Sequence, residues 1–303
     1  MPSSCAGGYG GQVYAIARVC GGHDIHYGVS FTVFAIPVPA WYIYTKLNRR
    51  FFMAIMHTLF FSGTLKRRCA MNVYVPEKPH SDGKYGFPVV YLLHGRSDDE
   101  NSYADHGIRA LCEKYEFIVV MPDGARSFYC DMVSGEKYWT FISGELPRLI
   151  STMFPARTDR VNTFAAGLSM GGYGALKLGM RHPERFAKIG AMSSVADISW
   201  AGRKEGCMCD EEVNSIFGSR TAMIGSNDDL FVLLEKPAPE CGRPELMMRC
   251  GTADILIEEN REFVRRAGVA GNWSVDYKET PDAVHNWEYW MPVLEEIFDF
   301  FSK

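Results

Sequence analysis

The sequence predicts an α/β fold, with a mostly parallel central sheet and helices on both of its faces. Three observations carry this. Short, nearly continuous apolar runs such as Pro88–Leu93 and Phe117–Met121 recur along the chain. Strands that are apolar along their whole length are strands buried on both faces. Amphipathic stretches such as Leu256–Arg266 separate these runs, as strand–helix–strand units require. The 303 residues, 47% hydrophobic and 22% charged, suffice for one large core that needs no disulfide or metal staple.

In chain order, residues 1–52 come first and differ from the rest. Asp24 is the only acidic residue among the first fifty, and glycines cluster at Gly7, Gly8, Gly10 and Gly11. The run Phe31–Tyr44 is apolar but holds Pro37 and Pro39, which oppose a regular helix, and it is short for a bilayer span. No early basic region marks a signal peptide. The segment reads as a poorly structured extension that the folded enzyme does not need. The competing reading is a membrane or partner anchor, with Lys46, Arg49 and Arg50 as its basic flank.

From Met53 to the C-terminus the expected strands are Ala70–Val75, Pro88–Leu93, Phe117–Met121, Val161–Ala166, Phe186–Met192, Glu245–Cys250 and Trp273–Lys278. The expected helices are Ile108–Lys114, Tyr173–Met180, Leu256–Arg266 and Trp290–Phe301. Residues 196–243 are irregular and read as an insertion over one end of the sheet. A net charge of −4 without a basic stripe argues against nucleic acid. The nine cysteines are irregularly spaced, and Cys207-Met-Cys209 lacks a second metal-binding pair. Free thiols in a cytoplasmic protein, and no metal site, are the expectation.

The chemistry is centred on Gly167-Leu168-Ser169-Met170-Gly171. Alone, a Gly-x-Ser-x-Gly match is weak. Here a strand precedes it and a helix follows it, the context of a nucleophile elbow. The flanking glycines, Gly167 and Gly171, let neighbouring backbone approach, and the turn presents the Ser169 hydroxyl above the sheet. A serine needs a base. Only His182 and His285 follow it. His182 closes the next helix, so His285, between the last strand and the last helix, is the expected base. Asp254, just past Glu245–Cys250, is the expected acid; Asp228, Asp229, Asp276 and Asp282 are less well placed. The Met170 amide and the backbone N–H of Arg96, in the turn after Pro88–Leu93, are the expected oxyanion donors. His94 reads as a turn-stabilising residue. Tyr129, Trp139, Trp200 and Trp287 are candidates for the substrate pocket, each equally able to be core.

Several segments resemble one esterase family. They are Tyr91-Leu92-Leu93-His94-Gly95, Gly167 to Ala175, His182-Pro183-Glu184-Arg185-Phe186, Cys250-Gly251-Thr252-Ala253-Asp254 and His285-Asn286-Trp287-Glu288-Tyr289-Trp290. This is the Putative esterase family of the α/β-hydrolase superfamily, which includes esterase D (S-formylglutathione hydrolase), tributyrin esterases, feruloyl esterases and mycolyltransferases. The resemblance runs from about Met53 to the C-terminus and looks closest to the tributyrin-esterase branch. It implies an α/β-hydrolase fold and a triad of Ser169, Asp254 and His285. It implies Arg96 and Met170 amides as oxyanion donors, short acyl esters as substrates, and no metal or organic cofactor. The formylglutathione branch has His where Leu168 and Tyr173 stand here, and a Cys near Asp98, so a thioester substrate is disfavoured.

The expected function is therefore a serine carboxylesterase for small acetyl to butyryl esters, with no nucleic-acid or membrane partner; a homo-oligomer is left open. Feruloyl or acetyl-xylan esterase and S-formylglutathione hydrolase are the enzymatic alternatives. A non-catalytic binding protein on the same scaffold is the alternative outside catalysis.

Overall fold

The computed structural model describes residues 53–77, 80–201 and 208–303. The readings of residues 1–52, and of Cys5, Cys20 and Cys207, lie outside the described residues. The strands are β1 (Met53–Ser62), β2 (Arg67–Pro76), β3 (Val89–Leu93), β4 (Ile118–Pro122), β5 (Thr163–Leu168), β6 (Lys188–Met192), β7 (Glu245–Gly251) and β8 (Val275–Thr280). They form one eight-stranded sheet in the order β1-β2-β4-β3-β5-β6-β7-β8. β1 and β2 are an antiparallel hairpin, and β2 pairs antiparallel with β4. Every pairing from β4 to β8 is parallel. This is the α/β-hydrolase fold.

The apolar runs are explained by two cores, one on each face of the sheet. Within β3, Val89, Tyr91 and Leu93 join one core, and Val90 and Leu92 join the other. Successive strand residues point to opposite faces, so a strand covered on both sides has no polar position. The first core is closed by α2 (Leu146–Met153), by α3 (Met170–Arg181) and by α6 (Ile257–Ala270), through Leu146, Ile150, Leu176 and Phe263. The second is closed by α1 (Arg109–Tyr115) and α7 (Trp287–Phe301), through Cys112, Leu294, Ile297 and Phe298. Residues 196–243 carry short helices, α4 (Asp210–Phe217) and α5 (Leu230–Glu235) among them.

β1 is the strand that the apolar runs do not mark. Its outward residues Ile55, Leu59 and Phe61 are apolar yet exposed, so it shows neither polar–apolar alternation nor a buried run. Its hairpin turn is held from a distance by Glu145. That carboxylate accepts the Ser62 hydroxyl at 2.6 Å and the Gly63 and Thr64 amides at 2.9 and 3.0 Å. Burial pushes the Glu145 carboxyl up, and these hydrogen bonds outweigh it and leave the group below its ordinary range. Among the described residues all six cysteines are free; Cys69, Cys112, Cys130 and Cys250 are buried, and Cys209 and Cys241 are exposed. No helix among the described residues is long and apolar enough to cross a membrane.

One buried charge contributes to stability. Lys177, on α3, has no exposed surface, and its Nζ lies 3.0 Å from Asp228 Oδ1, 3.1 Å from Cys130 Sγ and 3.3 Å from Tyr173 Oη. Burial pushes the Asp228 carboxyl up, and the Lys177 charge outweighs it, so the group stays below its ordinary range. A depressed folded-state value means that the stabilisation is full above the unfolded carboxylate range and is lost as pH falls through the folded value. Melting temperatures of wild type and Asp228→Asn should therefore differ most near pH 7. The difference should shrink as pH falls from about 5 to about 3; a gap that widens in acid contradicts this account.

Candidate active site

The parallel strands end on one side of the sheet, where open α/β sheets place their ligand sites. β3 ends before Gly95 and Arg96, β5 before Ser169, β7 before Asp254, and β8 before His285. Ser169 takes φ 54° and ψ −118°, a left-handed geometry that strains a residue with a Cβ. The turn is held by the Ser169 amide donating to Met192 O at 2.9 Å and by Ser169 O accepting from Tyr173 and Val195. The glycines around it are sterically required. A Cβ on Gly171 would stand 2.0 Å from Leu93 O, and one on Gly167 would stand 2.4 Å from the Gly171 backbone.

Ser169 Oγ lies 3.1 Å from His285 Nε2. His285 Nδ1 lies 3.0 Å from Asp254 Oδ2 and 3.1 Å from Oδ1. Asp254 is 3% exposed, and its Oδ1 also accepts the Leu256 amide at 2.9 Å. Burial pushes its carboxyl up. The hydrogen bond and charge of His285, with smaller contributions from Ser193 and the Leu256 amide, outweigh this and hold the carboxyl below its ordinary range. Asp254 is thus an anion beside an imidazole, as an orienting acid must be.

The loops that carry Asp254 and His285 are tied together. The Thr252 amide donates to Thr280 O, the Ala253 amide to Ala283 O, and the Asp282 amide to Thr252 Oγ1. A Cβ on Gly251 would stand 2.1 Å from Ala283 O, so this glycine lets the two loops touch. Asn286 caps α7 by accepting the Tyr289 amide at 3.1 Å, which fixes the chain directly after His285.

The side chains open into a cavity of about 810 Å³ lined by Gly95, Arg96, Phe128, Ser169, His285, Trp287 and Trp290, among others. Met170 begins α3, so its N–H is one of the amides a helix leaves without an internal acceptor. Arg96 reaches across to the insertion, where its guanidinium meets Glu212 on α4 at 2.5 Å. His94 is buried; its Nδ1 is 2.7 Å from Gly95 O, and its Nε2 accepts the Gly124 amide at 2.8 Å. It cross-links two turns and does not reach the serine.

Three of the four pocket candidates lie elsewhere. Tyr129 is wholly buried, and its hydroxyl donates to His94 O at 2.9 Å. A buried phenol needs such an acceptor, and this one turns the ring inward. Trp139 is drawn into a cation and imidazole stack, with Arg181 4.2 Å and His182 5.6 Å from its ring centre. Trp200 packs against the first core. Trp287 does line the cavity. His182 itself caps α3 and meets Glu184 at 3.1 Å. The sequence reading missed Phe128, Trp290 and His106 as lining residues. The Trp287-Glu288-Tyr289-Trp290 segment was a signal for Trp290. His106, stacked on Trp287 at 3.9 Å with the rings 7° from parallel, had none.

The Putative esterase family profile matches residues 62–301. An acetyl esterase of Caldicellulosiruptor saccharolyticus is 32% identical over 270 residues, which span 83% of this chain and 99% of that one. The substrate-bound structure of FphF, a fluorophosphonate-binding serine hydrolase of Staphylococcus aureus, is 25% identical. It has a TM-score of 0.76 and covers 83% of this chain and 99% of its own. A ferulic acid esterase structure is also 25% identical, with a TM-score of 0.72, covering 84% and 98%. The chain belongs to the Putative esterase family and is a carboxylic ester hydrolase.

Proposed function

We propose that Ser169, His285 and Asp254 are the catalytic triad of an esterase acting on short acyl esters, acetyl to butyryl, through an acyl-enzyme. The observation that carries this is the unbroken line of contacts, 3.1 Å then 3.0 Å, from the strained serine at the edge of a cavity to a buried carboxylate. His285 takes the Ser169 proton as Oγ attacks the ester carbonyl. The Met170 and Arg96 amides receive the oxyanion, and His285 returns the proton to the leaving alcohol. Water then repeats the sequence and frees the acid. Asp254 holds the imidazole with its Nδ1–H toward the carboxylate, so that Nε2 faces the serine. These steps use only the chain and water.

The acyl preference is supported by similarity to the acetyl esterase and by the described residues of 196–243, whose short helices supply no long apolar lid. A series of p-nitrophenyl esters tests it. kcat/KM on acetate to butyrate should exceed that on octanoate by roughly tenfold or more. An optimum at octanoate or longer, or a strong preference for methyl ferulate or S-formylglutathione measured alongside, overturns the reading.

We infer further that residues 53–303 suffice for folding and turnover, since every residue of the line above lies within them. Expressed alone, they should match the full chain in melting temperature and rate. Failure to fold would show that the preceding segment packs on the core.

A further inference from the structure

The two hydrogen bonds of His285 leave one motion unrestrained. Rotation of the ring about the line through Nδ1 and Nε2 changes neither of these distances. Trp290 blocks the tilt. Its ring stands edge-to-face against the imidazole at 4.7 Å and 89°, an arrangement that aromatic pairs favour. Trp290 is itself fixed: it is 6% exposed, and its Nε1–H donates to Ser193 Oγ at 3.0 Å.

Ser193 is unusual in three ways. It is wholly buried, it follows directly on β6, and its φ of 45° lies in the left-handed region that favours glycine. Its amide donates to Arg249 O at 2.8 Å, which anchors it to β7. Backbone geometry alone would place a glycine here, so the hydroxyl is what the position retains at the cost of strain. Oγ accepts the indole proton and still has its own proton to donate. Ser193 is also among the groups that draw down the Asp254 carboxyl.

We propose that Ser193 and Trp290 form a brace that sets the tilt of His285, acting as positioning residues for ester hydrolysis. The proposal rests on the triad reading above. The Ser193 hydroxyl holds the indole, and the indole holds the His285 ring. The loss of either member should therefore disable the same device, and losing both should add little.

The test uses the full chain and p-nitrophenyl butyrate. It compares Ser193→Ala, Ser193→Gly, Trp290→Phe and the Ser193→Ala/Trp290→Phe double variant, with Ser169→Ala alongside. Each single variant should lower kcat by roughly 10- to 100-fold and leave KM within about threefold, because only the geometry of the reacting groups changes. The double variant should fall no more than about threefold below the weaker single one. Ser193→Gly separates chemistry from folding. Glycine relieves the strain, so this variant should melt at or above the wild-type temperature and still lose turnover. A folded Ser193→Gly with kcat within twofold of wild type overturns the brace, as do multiplicative losses in the double variant or losses confined to KM. Should Ser169→Ala stay active, the triad reading itself fails. If it is inactive while Ser193→Gly is normal, only the brace fails.

Discussion

Ser169→Ala should lower turnover by on the order of 10⁴-fold or more, equivalent to about 5 kcal/mol or more of transition-state stabilisation, while the protein still folds. The effect is large because Ser169 carries the hydroxyl that stands 3.1 Å from His285 Nε2. Ser193 and Ser194 are the nearest serines in the following strand-end loop, and both are fully buried. The Ser169 amide and carbonyl bonds that hold the elbow use backbone alone, so alanine keeps the turn. The residual rate reflects the oxyanion amides and substrate binding. Purified Ser169→Ala that retains substantial activity, or that still reacts with a fluorophosphonate probe, sinks the assignment. His285→Ala should behave alike, since the serine then has no base. His182→Ala should not, because that ring stacks on Trp139 and meets Glu184 away from the serine.

Much of this arrangement was legible because strands buried on both faces carry their own signature. The runs at Val89–Leu93, Ile118–Pro122 and Glu245–Gly251 are buried at nearly every position, and their apolar spelling says so directly. Chain order then placed Ser169, Asp254 and His285 after β5, β7 and β8. Legibility failed where tertiary contacts set the structure. The expected strand Val161–Ala166 begins two residues later, at Thr163, because Arg160–Asn162 forms a 3₁₀ turn that Asp159 holds through the Asn162 side chain. Tyr138–Met153 is helical, with a π-helical stretch at Phe141–Glu145, although Gly144 and Pro147 disguise it. The pocket failed for a related reason. An aromatic residue has the same spelling whether it faces a cavity or a core. Tyr129 and Trp139 were claimed by partners far away in sequence, the carbonyl of His94 and the cations of α3.

Asp254→Asn should lower turnover by up to roughly 10⁴-fold with the fold retained. The carboxylate performs two tasks: Oδ1 accepts the Leu256 amide, and both oxygens face His285 Nδ1. An asparagine has one oxygen. If that oxygen stays with the Leu256 amide, the NH₂ group faces Nδ1. Nδ1 must then be the acceptor, and the ring proton moves to Nε2, where it points at Ser169. A base whose lone pair faces away from the nucleophile cannot take its proton. If the amide flips, the Leu256 N–H loses its acceptor and the acid loop loosens. Other acids are poorly placed to substitute: Asp228 is committed to Lys177 and Asp276 to Arg249. The measurement is kcat on p-nitrophenyl butyrate together with thermal melts across pH. Asp254 is depressed in the folded state. Its contribution to stability is therefore present above the ordinary carboxylate range and lost in acid, so wild type and Asp254→Asn should converge in melting temperature as pH falls toward about 3. A folded Asp254→Asn within a few-fold of wild-type turnover would remove Asp254 from the triad and redirect the search to Asp282, whose amide already ties it to the same loop pair.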